Sequence, residues 1–185
     1  MKTITAQDLY QIQFLSGVRI SPDGKKVTYA QHRVDKKSEK KYSNLWLVDT
    51  VEGNPTQFTW GDQVDVAPAW SPDGKFIAFL SNRRNANRPP QLFVISLNGG
   101  EAKPLQDVPA EIGAPIWSPD GKYLLCMVRK IDKEDLEREK DEEKKKLGVV
   151  YRHYDRLFYK LDGKGYLPHE RWHLWKFDVK TGKGT

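Results

Sequence analysis

The sequence predicts an all-β fold, part of a β-propeller made of about three four-stranded antiparallel blades. The first observation behind this prediction is a Ser-Pro-Asp-Gly-Lys pentapeptide that begins at Ser21, Ser71 and Ser118. The copies begin 50 and then 47 residues apart, a spacing typical of one propeller blade. The second observation is an apolar segment that recurs in the same phase, at 44–49, 91–96 and 173–178.

Each pentapeptide predicts a tight turn between two strands. Proline presets the backbone angle at the second turn position, aspartate bonds its own backbone, and glycine accepts the positive φ that closes the turn. The runs that follow the second and third turns, at 75–81 and 122–128, are apolar on both faces. We therefore expect these strands to be packed between neighbouring sheets.

The recurring apolar segment is predicted to be the third strand of each blade. It ends near Gly53, Gly99 and Gly182, so a second hairpin follows in every repeat. Short polar segments after these glycines are expected to form the outermost strands, which protects the sheet edges from aggregation. The predicted blades within the domain 1–185 span about 10–60, 61–107 and 108–185.

Two tryptophans and the first residues of the chain complete the expected architecture. Trp70 and Trp117 directly precede their turns and are predicted to pack between adjacent blades, and Ile20 takes that place in the first repeat. Thr5, with Asp8 three residues later, resembles a capping arrangement for a short helix from Ala6 to Phe14.

The third repeat carries an insertion of about 35 residues, whose charged part lies near 129–150. The dense charges of 130–146, with Glu134 and Arg138 four residues apart, are typical of an exposed helix or a mobile loop. A solvated insertion is the favoured interpretation, and a flap that shapes an entrance or contacts another subunit is the alternative.

The stretch 151–159 that follows is aromatic and basic. Packing between strands is the simpler interpretation, with alternating faces if the stretch is itself a strand. Its functional alternative is a surface that stacks bases or binds a peptide carboxylate through Arg152 or Arg156.

Residues 169–173 read His-Glu-Arg-Trp-His, the pattern of a zinc protease motif. Two histidines four residues apart reach one zinc ion only on a helix, whereas His173 falls on the predicted third strand of its blade. We therefore predict a loop histidine and a histidine at a strand edge, and we expect no metal or other cofactor.

The composition excludes several other classes of protein. No apolar run approaches the roughly 20 residues of a membrane span, so we expect no membrane contact. The formal net charge of +6 comes from basic residues scattered among acidic ones, which disfavours a nucleic-acid partner. The single cysteine, Cys126, cannot form an internal disulfide. The polar opening segment lacks the apolar region of a signal peptide, so we expect a cytoplasmic protein.

At its repeats the chain resembles the propellers of the prolyl oligopeptidase class of serine peptidases (peptidase family S9). The three Ser-Pro-Asp-Gly-Lys turns, two of them preceded by tryptophan, carry this resemblance, and TolB-type and WD40-like propellers share such repeats. Residues 5–9 and 159–167 are similar to the acylaminoacyl-peptidase and dipeptidyl-peptidase branch of that class. The resemblance covers essentially all of the chain.

The resemblance implies a propeller that restricts access to a C-terminal α/β-hydrolase domain, where a Ser-Asp-His triad cleaves short or N-blocked peptides. We expect that domain to be absent from this chain, because no Gly-x-Ser-x-Gly elbow occurs; before Ser16 and Gly17, Phe14 stands where the first glycine should be. No catalytic, cofactor-binding or metal-binding residue is assigned, and the substrate-binding residues are unknown.

These features predict the gating fragment of a serine oligopeptidase or exopeptidase, one that has no peptidase activity alone and folds poorly by itself. Its expected partners are short peptide substrates and its own hydrolase domain, and formation of a homo-oligomer stays open. The alternative is a non-enzymatic TolB-like propeller that binds a protein partner.

Overall fold

In the computed structural model, which describes Thr3 and residues 5–149, 151–163 and 165–185, three antiparallel sheets follow one another along the chain. In the first two sheets the strands lie side by side in chain order, as in propeller blades. The first sheet comprises β1 (Phe14–Ile20), β2 (Lys26–Val34), β3 (Lys41–Asp49) and β4 (Pro55–Gln57). The second comprises β5 (Asp65–Trp70), β6 (Phe76–Ser81), β7 (Gln91–Ser96) and β8 (Lys103–Pro104).

The third sheet has a divided first strand. Its elements are β9 (Ala110–Ile112), β10 (Ile116–Trp117) and β11 (Tyr123–Lys130), and both short strands pair with β11. The insertion then contributes α1 (Lys133–Glu139), α2 (Glu142–Leu147), β12 (Lys160–Leu161) and β13 (Gly165–Tyr166). The strand β14 (His173–Asp178) returns to pair with β11. Thr185 and Lys176 exchange backbone hydrogen bonds of 2.8 and 3.0 Å, so the last residues extend this sheet. The predicted all-β, partial-propeller fold is confirmed.

The three Ser-Pro-Asp-Gly turns have the same geometry. In each turn the serine hydroxyl donates a 2.6 Å hydrogen bond to the aspartate Oδ1, which also accepts the lysine backbone N–H at 3.1 Å. The serine oxygen accepts the amide of the residue five positions later, which is the first residue of the next strand. The glycines have φ values of 73°, 70° and 69°, the left-handed conformation that glycine adopts without strain.

These turns predict an acid-sensitive fold. The serine hydroxyl, followed by the lysine amide, lowers the pKa of Asp23, Asp73 and Asp120 below the ordinary value of 3.8. A carboxylate with a lowered folded-state pKa stabilises the fold above its unfolded pKa, and the stabilisation is lost as the pH falls through the folded pKa. We expect the melting temperature to fall below about pH 4, and to fall less steeply when all three residues are changed to asparagine. Identical acid profiles for the two proteins would contradict the prediction.

The second sheet packs on both faces, as its sequence predicts. Ile77 and Phe79 of β6 belong to the core shared with the first sheet, whereas Ala78 and Leu80 belong to the core shared with the third. Because side chains alternate along a strand, one strand supplies both cores.

The third sheet departs from that prediction. In β11, Leu124, Cys126 and Val128 are buried against the second sheet, but Met127 on the opposite face is 46% exposed. The expectation that 122–128 is buried on both faces is wrong for the described chain, because the third sheet has a neighbouring sheet on one side. Burial raises the pKa of Cys126 to about 12, so its thiol stays protonated and unreactive at neutral pH.

The two tryptophans join adjacent blades, as predicted. The indole N–H of Trp70 donates to the carbonyl of Arg19 in the first sheet at 3.2 Å, and that of Trp117 donates to Ala69 in the second at 3.0 Å. Ile20 does not serve as such an anchor, because it is 62% exposed on the side where the first sheet has no neighbour.

The opening helix is shorter than predicted. Asp8 accepts hydrogen bonds from the backbone N–H and hydroxyl of Thr5 at 2.7 and 2.9 Å, which confirms the capping arrangement. The helix is a single 3₁₀ segment, Ala6–Tyr10, and Phe14 is already the first residue of β1. Cross-strand pairing with β2 therefore prevails over continuation of the helix.

A buried ion pair ties β5 to the loop that follows β6. The fully buried carboxylate of Asp65 accepts two hydrogen bonds from Arg83, at 2.9 and 3.1 Å, and one from Gln63 at 3.1 Å. The guanidinium lies 5.1 and 5.3 Å from the ring centres of Phe79 and Phe93.

Among the residues described above, no helix has the length and apolar character that crossing a membrane requires.

Candidate functional site in the insertion of the third blade

The insertion replaces the connection between β11 and β14. In the first two sheets the corresponding connections are the short loops 35–40 and 82–90, so the insertion projects from the same end of its blade as these loops. For 130–146 the sequence predicted an exposed helix or a mobile loop, and the structure has the short helices α1 and α2, which bury none of their residues. These two helices therefore stand away from the packed sheets.

One carboxylate ties the two ends of the insertion together. Asp132 accepts the backbone N–H groups of His169 and Glu170, both at 3.0 Å. Asp132 also occupies the N-cap position of α1, yet its side chain makes no capping hydrogen bond to that helix. The residue thus fixes where the chain returns to the blade.

Replacing Asp132 by alanine is expected to loosen the insertion at its base. Hydrogen bonds to a charged acceptor contribute roughly 1.5–3 kcal/mol each, so amide exchange at 169–170 should accelerate on the order of tenfold or more. Hydrogen-exchange mass spectrometry measures this change. Asp135→Ala is the matched control, since Asp135 pairs with Arg138 inside α1 at 2.7 Å. Equal exchange in both variants would show that Asp132 does not hold the base.

An aromatic cluster fills the insertion beyond α2. The ring of Tyr154 lies 5.1 Å from Tyr159, 5.9 Å from Tyr166 and 5.8 Å from His169, and the Arg152 guanidinium lies 4.6 Å from the centre of the Tyr166 ring. The stretch 151–159 is not a strand, so its predicted alternation of faces is not realised. The rings of Tyr154 and Tyr159 pack on one another and on Tyr166 of β13, whereas Tyr151 and Phe158 are exposed.

A cavity of about 580 Å³ lies between the third sheet and this aromatic part of the insertion. Its walls combine charged with aromatic and apolar side chains. The lining residues are Glu111, Arg129, Arg156, Leu161, Tyr166, Leu167, Pro168, Glu170, Arg171 and Trp172.

The three arginines of the cavity differ in how their charges are balanced. Arg129 on β11 pairs with Glu111 on β9 at 2.6 Å and lies 5.0 Å from the centre of the Trp172 ring. Arg156 donates to the carbonyl of His169 at 2.9 Å and lies 3.7 Å from the exposed carboxylate of Asp155. Within the described ranges, Arg171 has no carboxylate within 4.0 Å. The cavity therefore holds guanidinium groups with capacity for another anion.

The zinc-type motif does not form a helical pair of ligands. His169 lies in a bend and His173 begins β14, which confirms the prediction that the motif straddles a loop and a strand entry. The part of the chain that the structure describes contains no group of three or more His, Cys, Asp or Glu side chains placed to hold a metal ion.

Ser16 lies on β1, next to a bulge between Ser16 and Arg19, and not at a strand-to-helix turn. Its hydroxyl is 2.7 Å from His32 Nε2, a cross-strand contact that the sequence did not indicate.

Neither the Arg156 cavity nor the Ser16–His32 pair was predicted, because each joins residues far apart in the chain. The only sequence signal for the cavity was the aromatic and basic character of 151–159.

Comparison with known proteins decides the family. The model of the TolB beta propeller domain matches residues 7–149. The chain belongs to the TolB beta propeller domain family. The propeller resemblance inferred from the repeats is thereby confirmed for this TolB-type domain.

Relatives of the domain include peptidases. The uncharacterized peptidase YuxL of Bacillus subtilis (strain 168) is 34% identical over 183 residues, which is 98% of this chain but 27% of that protein. Dipeptidyl-peptidase 5 of Porphyromonas gingivalis is 35% identical over 79 residues, 43% of this chain and 12% of that protein. The chain therefore spans about a quarter of the length of the first relative and less of the second.

Solved structures confirm the fold. An acylaminoacyl peptidase of Pyrococcus horikoshii superposes with a TM-score of 0.71 at 19% identity, covering 95% of this chain and 24% of that one. The β-propeller domain of the Trilobed protease from Pyrococcus furiosus, described as having an open velcro topology, gives a TM-score of 0.52 at 16% identity. It covers 95% of this chain and 57% of that propeller.

Proposed function

We propose that this TolB-type domain is the gating part of a serine peptidase of the prolyl oligopeptidase class. In this proposal it limits which peptides reach a hydrolase domain elsewhere in the same protein. The observation that carries the proposal is the 34% identity to a protein named as a peptidase, over 98% of this chain. That match covers 27% of the relative, so most of its length is available for a catalytic domain.

The insertion is the part of the domain suited to gating. It projects from the loop end of the third blade, and Asp132 ties its two ends together. Loops carried on a rigid scaffold are where proteins place binding and access functions. An arm with a fixed base and exposed helices can narrow an entrance without disturbing the sheets.

A second candidate is a binding propeller without catalysis. The supporting observation is a 37% identity over 73 residues to the Tol-Pal system protein TolB of Methylococcus capsulatus, 38% of this chain and 16% of that protein. In this case the insertion would contact a protein partner instead of a substrate.

Sequencing the gene beyond the codon for Thr185 separates the two candidates. The peptidase proposal expects a Gly-x-Ser-x-Gly segment followed in the chain by the aspartate and histidine of a triad. The complete gene product should then react with a fluorophosphonate, a reagent that labels activated serines. Propeller repeats without a hydrolase region, together with no labelling, would support the binding propeller and overturn the peptidase proposal.

A further inference from the structure

The cavity in the third blade contains more positive charge than its own carboxylates balance. Three guanidinium groups line it against the two carboxylates of Glu111 and Glu170. Glu111 is used by Arg129. Arg156 lies 3.7 Å from the carboxylate of Asp155, which is 74% exposed and outside the cavity lining. Arg156 and Arg171 are thus the groups that can accept an anion inside the cavity.

The position of Arg156 makes it a prepared binding group. Its side chain is 27% exposed, and its Nη2 is held by the carbonyl of His169. The amide of that same His169 is held by Asp132 at the base of the insertion. A guanidinium has five N–H donors in a fixed plane, so one hydrogen bond to a carbonyl leaves others for a ligand. Arg152, the other candidate from the sequence, lies over the Tyr166 ring and outside the cavity lining.

The cavity's size and walls indicate the kind of anion. A volume of about 580 Å³ lies within the range of small-ligand pockets. Tyr166 and Trp172 are 48% and 42% exposed and offer aromatic surface to an apolar side chain. The carboxylates of Glu111 and Glu170 in the same lining repel a dianion such as phosphate more than a singly charged group.

We propose that Arg156 and Arg171 bind the carboxylate of a short peptide in this cavity, with an adjacent apolar side chain against Tyr166 and Trp172. This proposal rests on the proposed function in that it names a peptide as the ligand. Planar guanidinium groups pair with carboxylates through two parallel hydrogen bonds, which gives the site geometric selectivity as well as charge. The C-terminal carboxylate and an acidic side chain are the two sources of that group.

Isothermal titration calorimetry on the complete gene product tests the proposal. The probes are N-acetyl-Ala-Phe with a free carboxylate, N-acetyl-Ala-Phe amide, and N-acetyl-Glu-Phe amide. The free acid is expected to bind at least about tenfold more tightly than its amide, because the amide cannot form the charge-assisted pair with the guanidinium groups. Tight binding of the glutamyl amide as well would identify any peptide carboxylate as the ligand, and weak binding would restrict it to the C-terminus.

The variants Arg156→Gln and Arg171→Gln are expected to remove the preference for the acid over the amide. Arg156→Lys should restore part of it, because the charge returns without the planar pair of donors. Arg88→Gln, in the exposed loop 82–90, is the matched control and should leave the preference unchanged.

Equal affinities for acid and amide in the unaltered protein would overturn the proposal without reference to any variant. A preference that survives in both glutamine variants would overturn it too. Fluorophosphonate labelling reports separately on the peptidase proposal: labelling without carboxylate selectivity retains the gating function and rejects this site, whereas selectivity without labelling retains the site and rejects the peptidase.

Discussion

Replacing Arg83 by methionine is expected to weaken the second blade more than any surface substitution. Methionine keeps the packing over Phe79 and Phe93 but leaves the carboxylate of Asp65 buried without its partner. Removing one member of a buried pair costs about 3–5 kcal/mol, since the remaining charge keeps its desolvation penalty. Amide exchange in β5 and β6 should therefore accelerate by roughly two to three orders of magnitude.

Arg33 provides a control at the same position of the first repeat, because it too lies twelve residues after its turn serine. Its partner Asp62 is 74% exposed, and exposed pairs contribute at most about 1 kcal/mol. Arg33→Met should change exchange in the first blade far less. Both variants are measured in the complete gene product. Similar increases in amide exchange for Arg83→Met and Arg33→Met would mean that burial of Asp65 does not determine the cost of losing its arginine.

Replacing Phe79 by alanine is expected to destabilise the interface between the first two blades by roughly 3–5 kcal/mol. The ring is fully buried, 6.0 Å from that of Phe93, and packs with the core that includes Ala30 and Leu45. Its removal leaves a cavity and also takes away one of the rings beneath Arg83.

Phe76→Ala is the matched control for this core substitution. Phe76 lies three residues earlier on β6 and is 39% exposed, so the same truncation removes less buried surface. The two variants are compared by their free energies of unfolding in urea and, in a second experiment, by amide hydrogen exchange in β3 and β7. A cost for Phe79→Ala as small as that of Phe76→Ala would contradict the packing described above.

The turns and the blade architecture could be predicted from the sequence because their causes are local. Ser71, Asp73 and Gly74 contact one another within four residues, and the repeat spacing then fixes which strands are neighbours. The double-sided burial of β6 followed from its apolar run. The predicted end of the opening helix at Phe14 was wrong, because Phe14 pairs with His32 on a strand 18 residues later in the chain.

The candidate site could be predicted only in outline. The charged and aromatic composition located the insertion, and it indicated Arg156 as one of two candidate arginines. The contact of Asp132 with His169 spans 37 positions, and no repeat or period in the sequence specifies it. The same holds for the pairing of Arg129 with Glu111 across neighbouring strands.

The closed base of the insertion makes it a separable cassette. The ladder between β11 and β14 does not pass through the intervening residues, and Asp132 brings together chain positions 37 apart. A turn of about five residues in place of the cassette would lower the entropy cost of closing this loop by roughly 2 kcal/mol. The insertion thus lowers the stability of the blade through the entropy of loop closure. In evolution or in design it can be exchanged for another segment while the sheet stays the same.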